Sequence, residues 1–185
     1  GVVCLAILGW WDDHRSLSVR LRLSVQLAVS MYLLWCAGGR EWLVGAVPML
    51  AGLAGFVTAL WIVGMINTIN FLDGLDGLAA GVGAIVSAVL ALHMLREGQY
   101  SVALLPLALL GATLGFLPFN SHPAHIFLGS GSWLLGYALA TLSIATGVKM
   151  ALMLFMLVIP IADVAWLMIS RLRAGQSIGH ADRRP

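Results

Sequence analysis

Residues 42–66 read WLVGAVPMLAGLAGFVTALWIVGMI, and residues 67–79 then read NTINFLDGLDGLA. The first stretch carries no charged side chain and is long enough to cross ~30 Å of hydrocarbon, for which a helix needs about 20 mostly apolar residues. The second is polar at every third position, with Asn67, Asn70, Asp73 and Asp76. If the helix from Trp42 runs on through it, Asn67, Asn70 and Asp73 fall within one arc of ~120° and point at one place. Gly74 and Gly77 then permit a sharp turn before the next apolar run. Taken singly, an Asp-Gly pair is an ordinary turn signal and an asparagine an ordinary helix cap. The complete series, set between two apolar runs, reads as a site.

The rest of the 185-residue chain has the same character. It is 61% hydrophobic and 10% charged, against about 45–50% and about 25% in soluble domains. Ten Lys/Arg and eight Asp/Glu cannot coat a globule of this length, which excludes a water-soluble enzyme and makes lipid the solvent. The net charge is +2 and no basic run interleaves with aromatics, so a nucleic-acid partner is not expected. Cys4 and Cys36 lie among apolar residues and cannot build a disulfide framework.

Dividing the chain at its charges, Gly/Pro clusters and polar knots predicts an all-α multipass transmembrane helical bundle. About six full spans are expected, near Leu23–Ala37, Trp42–Ile66, Leu78–Leu95, Val102–Phe119, Trp133–Thr146 and Met150–Ile169. Gly1 to Trp11 lacks the basic n-region and cleavage site of a signal peptide and reads as a partial N-terminal span. With the charged stop at Pro185, this predicts a single integral-membrane domain truncated at both ends.

Threading these spans puts Arg15, Arg20, Arg22, Arg171, Arg173, Arg183 and Arg184 on one side, and Arg40, Arg96 and Lys149 on the other. The arginine-rich side is expected to face the cytoplasm. The same side collects nearly all the chemistry. Asp12-Asp13 follow the interfacial Gly9-Trp10-Trp11, and two adjacent acids are favourable only beside a cation, water or the local His14, Arg15, Arg20 and Arg22. Gly129 and Gly131, with Ser130 and Ser132, are placed to offer backbone N–H groups to a phosphate at the start of a helix. His122 and His125 flank Pro123, which breaks any helical ligand register, so interfacial hydrogen bonding is the expected role. Asp163, inside the last span, is expected to pair with Arg171 or Arg173, and the tail arginines are available to phosphates. Carboxylates repel phosphate, so one site holding both implies a bridging divalent cation. Mg²⁺, with Mn²⁺ as the alternative, suits an oxygen-rich site without cysteine.

These segments resemble, in order and over essentially the whole chain, the polyprenyl-phosphate N-acetylhexosamine-1-phosphate transferases (glycosyltransferase family 4). The group includes phospho-N-acetylmuramoyl-pentapeptide transferase. Asp12-Asp13 is similar to the family's paired aspartates, and residues 67–79 match its N-x-x-N-x-x-D-G-x-D-G-L-A signature at every defined position. Asn120 with Pro123-Ala124 is similar to its asparagine loop. Ile159 to Asp163, with Arg171-Leu172-Arg173, is similar to the helix entering its last cytoplasmic loop, and the family's histidine motif would begin beyond Pro185.

The resemblance implies transfer of a sugar 1-phosphate from a UDP-N-acetylhexosamine to undecaprenyl phosphate or a related lipid, with release of UMP, at the cytoplasmic face of the inner membrane. It initiates a cell-envelope glycan such as O-antigen, and a homodimer is expected. Asp12, Asp13, Asp73 and Asp76 would be catalytic; Asn70, Asp12 and Asp13 would hold the metal; Asn67, Asn70, Asn120, Arg171 and Arg173 would bind substrate. One departure stands out. Where the family reads F-x-G-D-x-G-S, with the aspartate as a further metal ligand, this chain reads Phe127-Leu128-Gly129-Ser130-Gly131-Ser132. The second reading is therefore a catalytically silent relative that binds lipid or nucleotide or serves as an interaction subunit. A transporter is the third.

Overall fold

A computed structural model of the protein describes residues 1–15, 17–36 and 48–145, with the helical positions Val158, Ala162, Trp166, Ile169, Ser170 and Arg173. Among the described residues the helices are α1 (Val2–His14), α2 (Val19–Cys36), α3 (Pro48–Leu72), α4 (Leu78–Arg96), α5 (Tyr100–Asn120) and α6 (Gly131–Ala145). The all-helical class holds. Within them the stretches Gly52–Leu72, Leu78–Arg96 and Tyr100–Asn120 are long and apolar enough to cross a membrane, whereas Gly131–Ile144 is apolar but shorter.

Of the about six full spans expected, three helices among the described residues are long and apolar enough to cross a membrane. α2 begins at Val19 and draws Arg20 and Arg22 into its first turn, which dilutes its apolar run. The described part of α6 has 15 residues. Most of Met150–Ile169, Asp163 included, lies outside the described residues. Asp12 and Asp13, expected in a connection, instead occupy the last turn of α1.

Hydroxyls in these apolar helices satisfy themselves on their own turns: Thr58 on Ala54 O at 2.8 Å, Thr113 on Leu109 O at 2.9 Å and Thr141 on Tyr137 O at 2.9 Å. α3 and α6 form the centre. Ile62, Met65, Ile66 and Ile69 are buried with Leu139 and Ala140, and Trp61 Nε1 donates across the interface to Ser143 Oγ at 3.1 Å. α1 lies against the start of α6, α2 against α3, and α4 pairs with α5. Leu104, Leu105 and Leu114 on α5 are exposed, as a face toward lipid would be.

The central pair approaches backbone to backbone at Gly136, where a Cβ would stand 2.7 Å from Ile66 Cα and from the Met65 carbonyl oxygen. Neither atom can rotate away. Gly136→Ala is expected to cost about 1–3 kcal/mol as an overpacked contact, read as a lower thermal midpoint in detergent. Gly64→Ala, where nothing lies within 4 Å of the added Cβ, is expected to stay within about 0.5 kcal/mol.

Candidate active site

The polar series lies where α3 ends. The helix continues through Asn67 and Asn70 to Leu72, and the chain turns over residues 73–77 before α4. Each three-residue step climbs about 4.5 Å on one side of the helix, so Asn67 sits deepest and Asn70 above it.

Segment 129–132 comes down onto this helix end and onto the end of α1. The buried Ser132 shares its hydroxyl hydrogen between the Gly129 carbonyl at 2.7 Å and Asn70 Oδ1 at 3.0 Å. The Gly129 N–H lies near enough to the Asp73 carboxylate to favour its charged form. Ser130 Oγ donates to Asp13 Oδ2 at 2.7 Å. Gly129 has φ +55, and a Cβ there would stand 3.6 Å from both Asp13 carboxylate oxygens, so two carboxylates border one glycine. Burial pushes the Asp73 carboxyl up to about 6; the Gly129 N–H opposes the rise and the Asp13 charge adds to it.

The other expected site residues take different places. Asp12 turns away from Asp13: its Oδ1 accepts the Leu17 N–H at 2.8 Å and its Oδ2 pairs with Arg22 Nη1 at 3.3 Å. Of the four basic neighbours expected to compensate the paired acids, Arg22 is the one joined to Asp12, while His14 Nδ1 bonds the Trp10 carbonyl at 2.8 Å. Asp76 holds the loop after α5. Its Oδ2 accepts the Ala124 N–H at 3.1 Å and His122 Nδ1–H at 3.0 Å, and these two donors, Ala124 first, hold its carboxyl below the usual range.

Asn120 is 2% exposed; it accepts the Gly77 N–H at 3.2 Å and donates to the Ile126 carbonyl at 3.1 Å. It thereby joins the α3–α4 turn to the loop after α5. Gly77, at φ +74, adopts a backbone conformation that a side chain would strain. Asn120→Ala breaks both bonds, and a destabilisation of about 1–3 kcal/mol is expected in detergent thermal melts. Arg171 lies outside the described residues, and Arg173 is helical and exposed, with no contact to this cluster among the described residues.

The phosphate cradle expected at Gly129–Ser132 is corrected. The Gly131, Ser132 and Trp133 N–H groups are spent on the carbonyls of Leu128, Gly129 and Ser130 at 2.9, 3.1 and 3.1 Å, and the Gly129 N–H lies near the Asp73 carboxylate. A tight turn into α6 thus uses the Gly131 and Ser132 N–H groups on its own carbonyls. Ser132, expected to offer its backbone N–H, instead meets Asn70 through its hydroxyl, and one site neighbour, Gln26, escaped the sequence reading. Gln26 donates nothing to the motifs in sequence, but it was visible as a lone carboxamide in the apolar stretch after Arg22.

Among the described residues no three His, Cys, Asp or Glu side chains approach closely enough to hold a metal by themselves. Two carboxylates and the Asn70 carbonyl fit a hard cation that takes one or two carboxylates and completes its shell with water and phosphate oxygens. The mutual repulsion of Asp13 and Asp73 is what such a cation relieves.

These features define a helical, membrane-capable protein with an acidic, oxygen-rich cluster at one end of its central helices. The profile described as Glycosyl transferase family 4 matches residues 1–147, and the chain belongs to that family. It is 36% identical over 197 residues to a Bacillus subtilis protein named "Probable undecaprenyl-phosphate N-acetylglucosaminyl 1-phosphate transferase", covering 99% of this chain and 54% of that protein. It is similar over shorter stretches to proteins named phospho-N-acetylmuramoyl-pentapeptide-transferase. The Alkaliphilus metalliredigens one is 48% identical over 84 residues, 45% of this chain and 23% of that protein. The Anoxybacillus flavithermus one is 43% identical over 76 residues, 40% and 24% respectively. The chain thus spans about half the length of the first relative and about a quarter of the others.

Proposed function

We propose that the protein transfers an N-acetylhexosamine 1-phosphate from a UDP-sugar to undecaprenyl phosphate or a related polyprenyl phosphate, releasing UMP and initiating a cell-envelope glycan. The observation that carries the reading is the gathering of Asp13, Asp73 and Asn70 on segment 129–132 at the end of membrane-capable helices. Membrane burial then has a chemical reason, because one substrate is an isoprenoid within the bilayer and the other a soluble nucleotide. The name of the Bacillus subtilis relative makes N-acetylglucosamine the first sugar to test. The arginine distribution supports a cytoplasmic-facing site in the inner membrane.

In this reading an oxygen of the lipid phosphate forms a bond to the β-phosphorus of the UDP-sugar, and the bond from that phosphorus to the bridging oxygen breaks, releasing UMP. An ionised phosphate needs no proton removed, so the carboxylates serve positioning and charge rather than proton transfer. Asp13 and Asp73, with Asn70, would hold Mg²⁺ or Mn²⁺. The cation, when bound, supplies neutralisation of the phosphate charge. Asp12, its oxygens engaged by Arg22 and Leu17, keeps the end of α1 in place.

Purified full-length protein given UDP-GlcNAc and undecaprenyl phosphate is expected to release UMP and to form a lipid-linked sugar phosphate in equal amounts. Chelation with EDTA is expected to lower this rate by at least about 100-fold, with recovery on adding Mg²⁺. Turnover undiminished in EDTA would remove the cation from the account.

A further inference from the structure

Gln26 is 1% exposed on α2, with Val25 and Val29 beside it, an expensive position for a carboxamide unless its polar atoms are paired. Its Oε1 accepts an N–H from Asn67 Nδ2 at 2.7 Å, a short bond joining α2 to α3. The same Asn67 nitrogen also donates to the Val63 carbonyl, one turn back on α3, at 2.8 Å. An amide nitrogen has two hydrogens, so both Asn67 donors are spent. Its Oδ1 remains, on a half-buried side chain at the base of the Asn67–Asn70–Asp73 series.

We infer that Gln26 is a positioning residue: it holds the Asn67 carboxamide so that the site is offered an acceptor oxygen rather than an N–H. This rests on the transferase reading, and it assigns chemistry to the group met there. An acceptor fits a hydroxyl or amide N–H of the UDP-sugar and disfavours a phosphate oxygen, which is itself an acceptor. Without Gln26 one buried Asn67 N–H loses its partner, and rotating the carboxamide toward water or ligand relieves it. The site then presents the opposite polarity from the same asparagine.

The test uses the full-length protein in detergent with Gln26→Leu, Gln26→Glu, Asn67→Ala and the double variant Gln26→Leu/Asn67→Ala. Gln26→Met replaces the leucine variant if that one does not fold. Gln26→Leu is expected to raise the KM for UDP-GlcNAc about tenfold with kcat within about twofold. It should cause no further loss when Asn67 is already alanine. Gln26→Glu, which keeps an acceptor oxygen, is expected to restore most of the affinity. A loss in Gln26→Leu that adds in full to that of Asn67→Ala overturns the inference, as does a leucine variant with unaltered KM.

A second readout needs no turnover. In protein labelled with ¹⁵N-asparagine, the Asn67 side-chain NH₂ pair, assigned by its disappearance in Asn67→Ala, is expected to be slow to exchange. Gln26→Leu should lose that protection and Gln26→Glu should regain it; protection unchanged in Gln26→Leu overturns the inference. Absence of UMP release by the unaltered protein would instead overturn the transferase reading, with the exchange measurement still deciding whether Gln26 orients Asn67.

Discussion

Asp73→Asn is expected to lower UMP release by the full-length protein about 100- to 1,000-fold while leaving the fold intact or firmer. The change is isosteric, and an asparagine oxygen can still accept the Gly129 N–H that reaches this position. Only the charge is lost. The stability effect has a definite sign. The Asp73 carboxyl is raised from 3.8 to about 6 by burial, with the Asp13 charge adding to the rise, so the folded protein holds this proton more tightly than the unfolded chain. Its contribution is fully present below the unfolded value and is lost as pH rises through about 6. At pH 7.5 the native protein without added cation thus carries a strained carboxylate that the variant lacks. The thermal midpoint of Asp73→Asn should exceed that of the native protein at pH 7.5, and the gap should close as pH falls toward 4. Loss of activity together with a lower midpoint at pH 7.5 would instead assign Asp73 a structural role.

The second large effect concerns Ser130→Asp. Ser130 donates to Asp13 at 2.7 Å, so an aspartate there replaces a hydrogen bond with a second negative charge beside the first. Without a divalent cation the two repel, and a lower midpoint in EDTA is expected. With one, an added anionic oxygen favours the cation, and the Mg²⁺ concentration giving half-maximal turnover should fall about tenfold. Binding of Mn²⁺ followed by electron paramagnetic resonance gives the same comparison without turnover. An unchanged cation requirement in both assays would place Ser130 and Asp13 outside the metal's reach.

The residues of the candidate site were more legible than the architecture around them. Asn67 and Asn70 share a side of α3, and Asp73 follows just past its end with its N–H on the Ile69 carbonyl at 3.1 Å, because a three-residue period survives in the sequence as long as the helix runs on, and it runs to Leu72. The Asn120 link to Gly77 crosses 43 positions of chain, and nothing in the local pattern of either residue specifies the other. An apolar run says that a residue tolerates lipid, yet the start of α2 takes in Arg22, whose partner Asp12 lies on α1. The Gly129–Ser132 run shows the limit most plainly. Composition marked its backbone N–H groups as available donors, and only the structure shows those of Gly131 and Ser132 engaged by the Leu128 and Gly129 carbonyls and the serine hydroxyls turned to Asp13 and Asn70.

The transferase reading is tested most directly by incubating the unaltered full-length protein with UDP-GlcNAc, undecaprenyl phosphate and Mg²⁺. Release of UMP should match formation of lipid-linked sugar phosphate and should depend on the lipid. Folded protein that binds the nucleotide sugar yet releases no UMP under these conditions would contradict it and would leave a silent binding protein in its place.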